Sequence, residues 1–283
     1  MREEIRERQN SERSLDRLAA QRLLYGQAKS VEGLRLASVL LVAALLLVGL
    51  AVKAEPFSEG ATMAVVLLWF IDQVALVPWV GRKREEAAAI QEDFDCCVLD
   101  IAWPNHLGVA RPTGDRVRVL ANRAQRAGVA RKGLADWYRP EDIPLEPVAA
   151  RLHCQRVNCH WDSRLRGEWI CWVWFTVSAL AVAGVVVGAA IGVTLLEVVL
   201  GVAAGIRLLA WLLLEQRAHS TAQKRMESLH GYLSRAGEMG GPTTVTDVSL
   251  VQAAIFEHRR TCPSVPDWYY WVRRRAYEGK PGG

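Results

Sequence analysis

Between Trp169 and Leu214 the sequence stays apolar for about 46 residues, interrupted only by Glu197 and Arg207. As one helix this run would reach roughly 70 Å, more than twice the ~30 Å hydrocarbon core of a bilayer. It must therefore fold back, and Gly188–Gly192 marks the place, giving helices near 169–188 and 193–214. Hydrocarbon offers no partner to a free backbone N–H or C=O, so apolar runs of this length are expected to be spanning helices. Two more such runs, 36–52 and 61–80, form a second hairpin that turns through Lys53-Ala54-Glu55-Pro56.

These runs predict a mainly α integral membrane protein with four transmembrane helices in two hairpins. Between the hairpins lies a small cytoplasmic insert, α-rich or α+β, and a helical cytoplasmic tail follows. The expected divisions are an N-terminal helix over 1–33, hairpin one over 34–81, a sensor-sized insert over 82–168, hairpin two over 169–214 and the tail over 215–283. The mean hydropathy of +0.07 averages over this segregation. Lys and Arg set the orientation. The N-terminal arm carries Arg2, Arg6, Arg8, Arg13, Arg17, Arg22, Lys29 and Arg35, and Arg82-Lys83-Arg84 stops the second run, whereas only Lys53 lies between the first two runs. Both termini and the insert are accordingly expected on the cytoplasmic side of a bacterial inner membrane.

Within the insert, a helix is expected over Arg84–Glu92, and Asp95–Trp103 reads as a short strand or a buried turn of helix. A second helix runs from Asp115, its N-cap, to Gln125, and a third from Pro147 through Trp161 into the membrane. The first 30 residues, mixed in charge, read as a solvated helix. In the tail, helices near 246–260 and 266–278 flank Cys262-Pro263-Ser264-Val265-Pro266.

Three charged residues fall inside the predicted spans: Asp72, Glu197 and Arg207. Such residues face a partner or water, because an ion in hydrocarbon costs several kcal/mol. Asp72 and Arg207 lie at similar depth, roughly 12–15 Å from the cytoplasmic ends by helical rise. They are expected to pair or line a pore, with snorkelling of Arg207 as the plain alternative. Gly184, Gly188 and Gly192, and Gly201 and Gly205, repeat every four residues, a spacing that suits either packing of the second hairpin or contacts in a homo-oligomer lined by Glu197.

His153-Cys154 and Cys159-His160 suggest zinc. On a helix, however, Cys154 and Cys159 sit about 140° apart, and their spacing misses the usual zinc knuckle. Packed thiols and no metal or other cofactor are expected. No phosphate loop, serine elbow or paired-histidine motif occurs, so an enzyme is not expected. Aromatic and arginine-rich patches at Asp136-Trp137-Tyr138 and Asp267-Trp268-Tyr269-Tyr270-Trp271 suit nucleotide stacking and phosphate binding. They suit membrane interfaces and protein contacts equally.

Three segments together resemble the SMODS-associated four-transmembrane effector family of bacterial anti-phage defence. These are Asp93-Phe94-Asp95-Cys96-Cys97-Val98-Leu99 with Trp103 and Asn105; Asp136-Trp137-Tyr138 with Cys154 through Asp162, then Leu165-Arg166; and Gln252, Ile255-Phe256 and Arg259 with Val265-Pro266-Asp267-Trp268-Tyr269-Tyr270 and Arg274. One departure is Ala253, where an acidic residue often follows the glutamine. The resemblance implies an effector of a cyclic-nucleotide system such as CBASS, functionally linked to a cyclic-nucleotide synthase. It implies a cyclic oligonucleotide as ligand, with no DNA or RNA polymer, and the lipid bilayer as target, permeabilised to arrest the infected cell. Trp137, Tyr138, Gln155, Arg156, Asn158, Trp161, Asp162, Arg259, Trp268 and Tyr269 are then the ligand candidates. Gln155, Asn158 and Asp162 share one helix face, where they contact ligand or satisfy the core. The alternative function is a structural or signalling membrane protein that binds a cytoplasmic partner and forms no pore.

Overall fold

A computed structural model describes the backbone of residues 1–52, 63–64, 66–129, 131–190, 192, 194–238 and 244–278. Side chains are described there except at 43–52, 131–132, 140, 187–189, 195–207, 236–238 and 274–278. The described residues form α-helices, short 3-10 turns and no strand. Helix α1 spans Arg2–Asn10 and α2 Glu12–Val52. Residues 66–71 are helical and pass through a π-helical turn, Asp72–Leu76, into α3, Val77–Leu99. Then come α4, Gly114–Arg126; α5, Pro147–Ala190; α6, Leu195–Glu238; α7, Val245–Thr261; and α8, Asp267–Glu278.

The long helices do not stop where polarity changes. α2, α3, α5 and α6 each join a charged segment to an apolar run, so the same rigid rods belong to both parts. The expected continuation of the Pro147 helix into the third apolar run is found as one 44-residue helix. The fold-back lies between Ala190 and Leu195, where Gly192 adopts φ +73°, a conformation that only glycine takes without strain.

Three expectations change. The helix expected over Arg84–Glu92 is part of α3 and runs on to Leu99, so of the two readings of Asp95–Leu99 the buried helix holds; Asp100, in the left-handed region at φ 55°, ends it. The N-cap of α4 is Thr113, whose side chain accepts the Arg116 N–H at 3.3 Å, and Asp115 sits within the first turn. The N-terminal arm is not solvated. Ile5, Leu18, Ala20 and Leu24 are fully buried; Glu3, Glu4, Arg6, Glu7, Glu12 and Arg13 are exposed, while Arg17 reaches the buried Asp93.

That burial joins the parts. Ile5 and Leu18 pack with Phe94, Val98, Leu134 and Ile143 in one cluster. Ala88, Ala89 and Phe256 form another between α3 and α7, while Cys159, Met226, Leu233 and Ile255 join α5, α6 and α7. Gln9 fastens α1 to the connection before α5 as a strand would. Its amide donates to the Tyr138 carbonyl at 3.0 Å and accepts the Tyr138 N–H at 2.8 Å. Next to it, Asn10 and Asp136 exchange two further hydrogen bonds.

The apolar runs expose large side chains, including Val66, Leu67, Phe70 and Val74 on the second and Phe175, Leu180 and Val185 on the third. Contiguous apolar surface of this extent needs a partner other than water. Among the described residues one helix is long and apolar enough to cross a membrane, the Pro147–Val186 part of α5, whose most apolar 18-residue stretch has mean hydropathy 2.0. Of the other three predicted runs, 61–80 and 193–214 include residues outside the description, and 36–52 includes side chains outside it. Asp72 is held by Arg35 of α2, with Nε to Oδ1 at 2.5 Å and Nη2 to Oδ2 at 3.3 Å. Arg207 and Glu197, its expected companions, have side chains outside the described residues.

Because the arm is core, Leu18→Ala should lower stability by about 2–5 kcal/mol in denaturant unfolding of the detergent-solubilised protein. Arg13→Ala, on the exposed face of the same helix, should change it by less than about 0.5 kcal/mol.

Candidate sensor core and membrane junction

Glu92 and Asp95 lie one turn apart on α3 and are both fully buried. Two buried carboxylates repel unless donors surround them, and donors from α7 and from the connection before α5 meet this pair. Asp95 Oδ1 accepts the Tyr138 hydroxyl at 2.7 Å; its Oδ2 accepts the Arg259 guanidinium at 2.5 Å and the Gln252 amide at 3.3 Å. Gln252 also donates to Glu92 Oε2 at 2.7 Å and accepts from Gln155 at 3.0 Å. Gln155 donates as well to the Val248 carbonyl at 2.9 Å, and Asn158 donates to the Tyr138 oxygen at 3.0 Å. Burial, and then the Asp95 charge, push Glu92 up to about 8. At neutral pH Glu92 therefore keeps its proton, and Asp95 and Arg259 form a neutral pair.

Two turns along α5 lies a second cluster. Asp162 Oδ2 accepts from Arg166 and from His258, each at 2.7 Å. Arg166, also buried, donates to His219 Nδ1 at 3.1 Å and to the Pro263 carbonyl at 2.9 Å. Burial opposes the Asp162 charge, but Arg166 and His258 outweigh it and hold the carboxyl well below the usual range. Burial and the Arg166 charge push His219 down to about 3, so it is a neutral acceptor. For His258 burial works against protonation, and the hydrogen bond to Asp162 overrides it and raises the pKa.

At the foot of the apolar run, Trp169 and Trp172 of α5 stack at 5.3 Å between centroids. Trp268 and Tyr269 of α8 close on them, each 5.1 Å from one of the pair. Ion pairs rim this aromatic junction: Lys29 with Asp267 at 2.5 Å, and Arg273 with Glu168. Arg84 joins Glu32 at 2.7 Å to the Cys262 carbonyl at 2.9 Å.

The ligand candidates thus divide. Tyr138, Gln155, Asn158 and Arg259 form the first network, and Asp162 the second. Trp137 packs edge-on against Phe94 at 6.2 Å. Tyr269 is buried at the junction, and Trp268 and Trp161 are exposed. Arg156 reaches only the neighbouring His153, at 3.4 Å. Cys154 and Cys159 enter different clusters, and burial pushes both thiols up to about 12.

Sequence reasoning missed Glu92, His258, His219 and Gln9. The spacing Val251, Ile255, His258, Cys262 follows one helix face and carried a signal for His258, a polar residue on an apolar stripe. Nothing local marks Gln9, whose partner lies 129 residues away.

The family described as the SMODS-associating 4TM effector domain matches residues 3–280. The chain belongs to this family. A curated relative in Bacillus cereus, described as a probable CBASS effector molecule, is 22% identical over 97% of this chain and 94% of its own length. No solved structure matches. The motif residues that carry the effector-family resemblance are, in large part, those of the two networks and the aromatic junction.

Two outcomes follow. Arg259→Ala strands Asp95 and should cost about 3–5 kcal/mol in denaturant unfolding. Glu92 has an ordinary value near 4.5 and a folded value near 8, so between these the folded chain binds the extra proton. Its contribution to stability therefore declines as pH rises through that window. Thermal unfolding from pH 6 to 9 should show a downward slope that Glu92→Gln flattens; an unchanged slope contradicts this assignment.

Proposed function

We propose that this effector-family chain is a CBASS effector that responds to a cyclic oligonucleotide and permeabilises the bacterial inner membrane. In this reading α2, the helix through Asp72, α5 and α6 supply four membrane spans as two hairpins, with both termini cytoplasmic. The chain acts as a homo-oligomer downstream of a cyclic-nucleotide synthase, and its output is mechanical, without catalysis. One observation supports it above the rest. α5 is a single helix whose cytoplasmic half carries both polar networks and whose other half is the apolar candidate span. A ligand that favours one arrangement of the cytoplasmic core over another shifts the population of membrane arrangements through that rod, by its differential affinity for the two. The relative's description as a probable CBASS effector molecule points the same way.

The test is entry of a membrane-impermeant DNA dye into cells expressing the protein with and without a cognate cyclic-nucleotide synthase. Synthase-dependent dye entry is the expected result. Intact membranes in both conditions, with the protein present in the inner membrane, would replace this reading with that of a partner-binding membrane protein without a pore.

A further inference from the structure

α5 has two polar faces, and the networks use one. Gln155, Asn158, Asp162 and Arg166 face α3 and α7 through the contacts given above. His153, Arg156, His160 and Arg164, spaced by three and four residues, share the other face. His230 of α6 completes the set, its ring 5.1 Å from that of His160.

This stripe is short of negative charge. Arg164 is paired with Glu168 at 3.3 Å. Among the described residues no carboxylate pairs with Arg156, which lies 3.4 Å from His153, itself a base. Burial lowers the His160 pKa, and the further influences on it, from His230, Arg164 and Arg156, are all cationic. His153 is lowered by burial and by Arg156, with Asp142 opposing. Like charges gathered on one face are unfavourable unless something anionic sits among them. The side chains are accessible, His160 exposed and His153, Arg156 and His230 half-buried.

We propose that this α5–α6 seam binds the phosphodiester groups of the cyclic oligonucleotide. The inference rests on the function proposed above and deepens it by placing the ligand. From His153 to Arg164 the stripe runs about 16 Å by helical rise, long enough for two or more phosphates. Guanidinium and imidazole N–H donors suit phosphate oxygens, and the charge-assisted bonds that Arg156 can make are the strong ones. Trp161, adjoining His160 and 37% exposed, borders the stripe and offers a ring for a base.

The position also suits the output. Beyond the stripe α5 and α6 approach so closely at Gly167 that a Cβ there would meet Gln223 Nε2 at 2.8 Å. Both helices continue from this point into apolar runs. A ligand that bridges His160 and His230 below that contact acts on the crossing of the two rods. An anionic lipid headgroup carries the same phosphodiester chemistry, but His153 lies about 24 Å below Trp169 by helical rise, far from the bilayer surface that headgroups occupy.

The experiment is calorimetric binding to the full-length protein in zwitterionic nanodiscs, using a panel of cyclic di-, tri- and tetranucleotides. A parallel arm replaces a fraction of the lipid with phosphatidylglycerol. The variants are Arg156→Gln with His160→Gln, His230→Gln and, as a distant charge control on exposed α4, Arg118→Gln. The expected result is that one panel member binds, that affinity falls about tenfold or more with each removed contact, and that the control matches wild type. Binding undiminished in the seam variants overturns the site and leaves the proposed function standing. No binding by any panel member, with a phosphatidylglycerol effect that the variants abolish, overturns the nucleotide as ligand in favour of lipid. No response in either arm overturns the site and the nucleotide response together. If a variant lowers the unfolding midpoint, photo-crosslinking of azido-labelled panel members to wild type decides instead. Attachment within 153–164 or at 230 supports the seam, and attachment elsewhere overturns it.

Discussion

Asp95 is the carboxylate around which the polar half of the fold is assembled. A fully buried acid is tolerable only when every oxygen is met by a donor, and three donors come from two separate parts of the chain: Tyr138 before α5, and Gln252 and Arg259 on α7. Neither α7 nor the 136–138 connection can leave without stranding this charge. Through Gln252 and Tyr138 the constraint passes to Gln155 and Asn158, fixing the rotation of α5 about its axis. The Asp162 cluster repeats the arrangement closer to the apolar run, with α5 and α7 joined through His258 and α6 added through His219.

Rotation of α5 matters because the helix has no break between these clusters and its apolar half. A helix of this length moves as a rod unless proline, a π-bulge or an inserted group interrupts it, and none does within Pro147–Ala190. The helix through Asp72 is different. It carries a π-helical turn at the residue that Arg35 holds.

Much of this was legible in the sequence, and the reasons for the rest are physical. Apolar length identified α5, its continuity with the insert and the fold-back near Gly192, because hydrocarbon imposes a length rule that local context cannot override. The α7–α8 pair was marked by the prolines between them. The burial of the N-terminal arm was hidden, because its core face contains Ala19, Ala20 and Ala28, and alanine carries almost no periodic signal. Asp95–Leu99 was ambiguous because a short apolar run fits a strand or a buried helix equally. Arg35 was counted as a flanking charge that orients the membrane, although its long stem reaches Asp72. The site residues were found as a set but not as a function. Composition marks Gln155, Asn158 and Asp162 as a polar face, and only tertiary packing decides whether such a face meets ligand or core.

The central claim is that cytoplasmic events reach the membrane through an unbroken α5. It is tested most directly by inserting three glycines between Gly167 and Glu168 and measuring dye entry in cells that also express the cognate synthase. The account predicts that the purified variant still binds the cyclic oligonucleotide while dye entry is lost. Dye entry at the wild-type level in a chain whose α5 is interrupted there would contradict it.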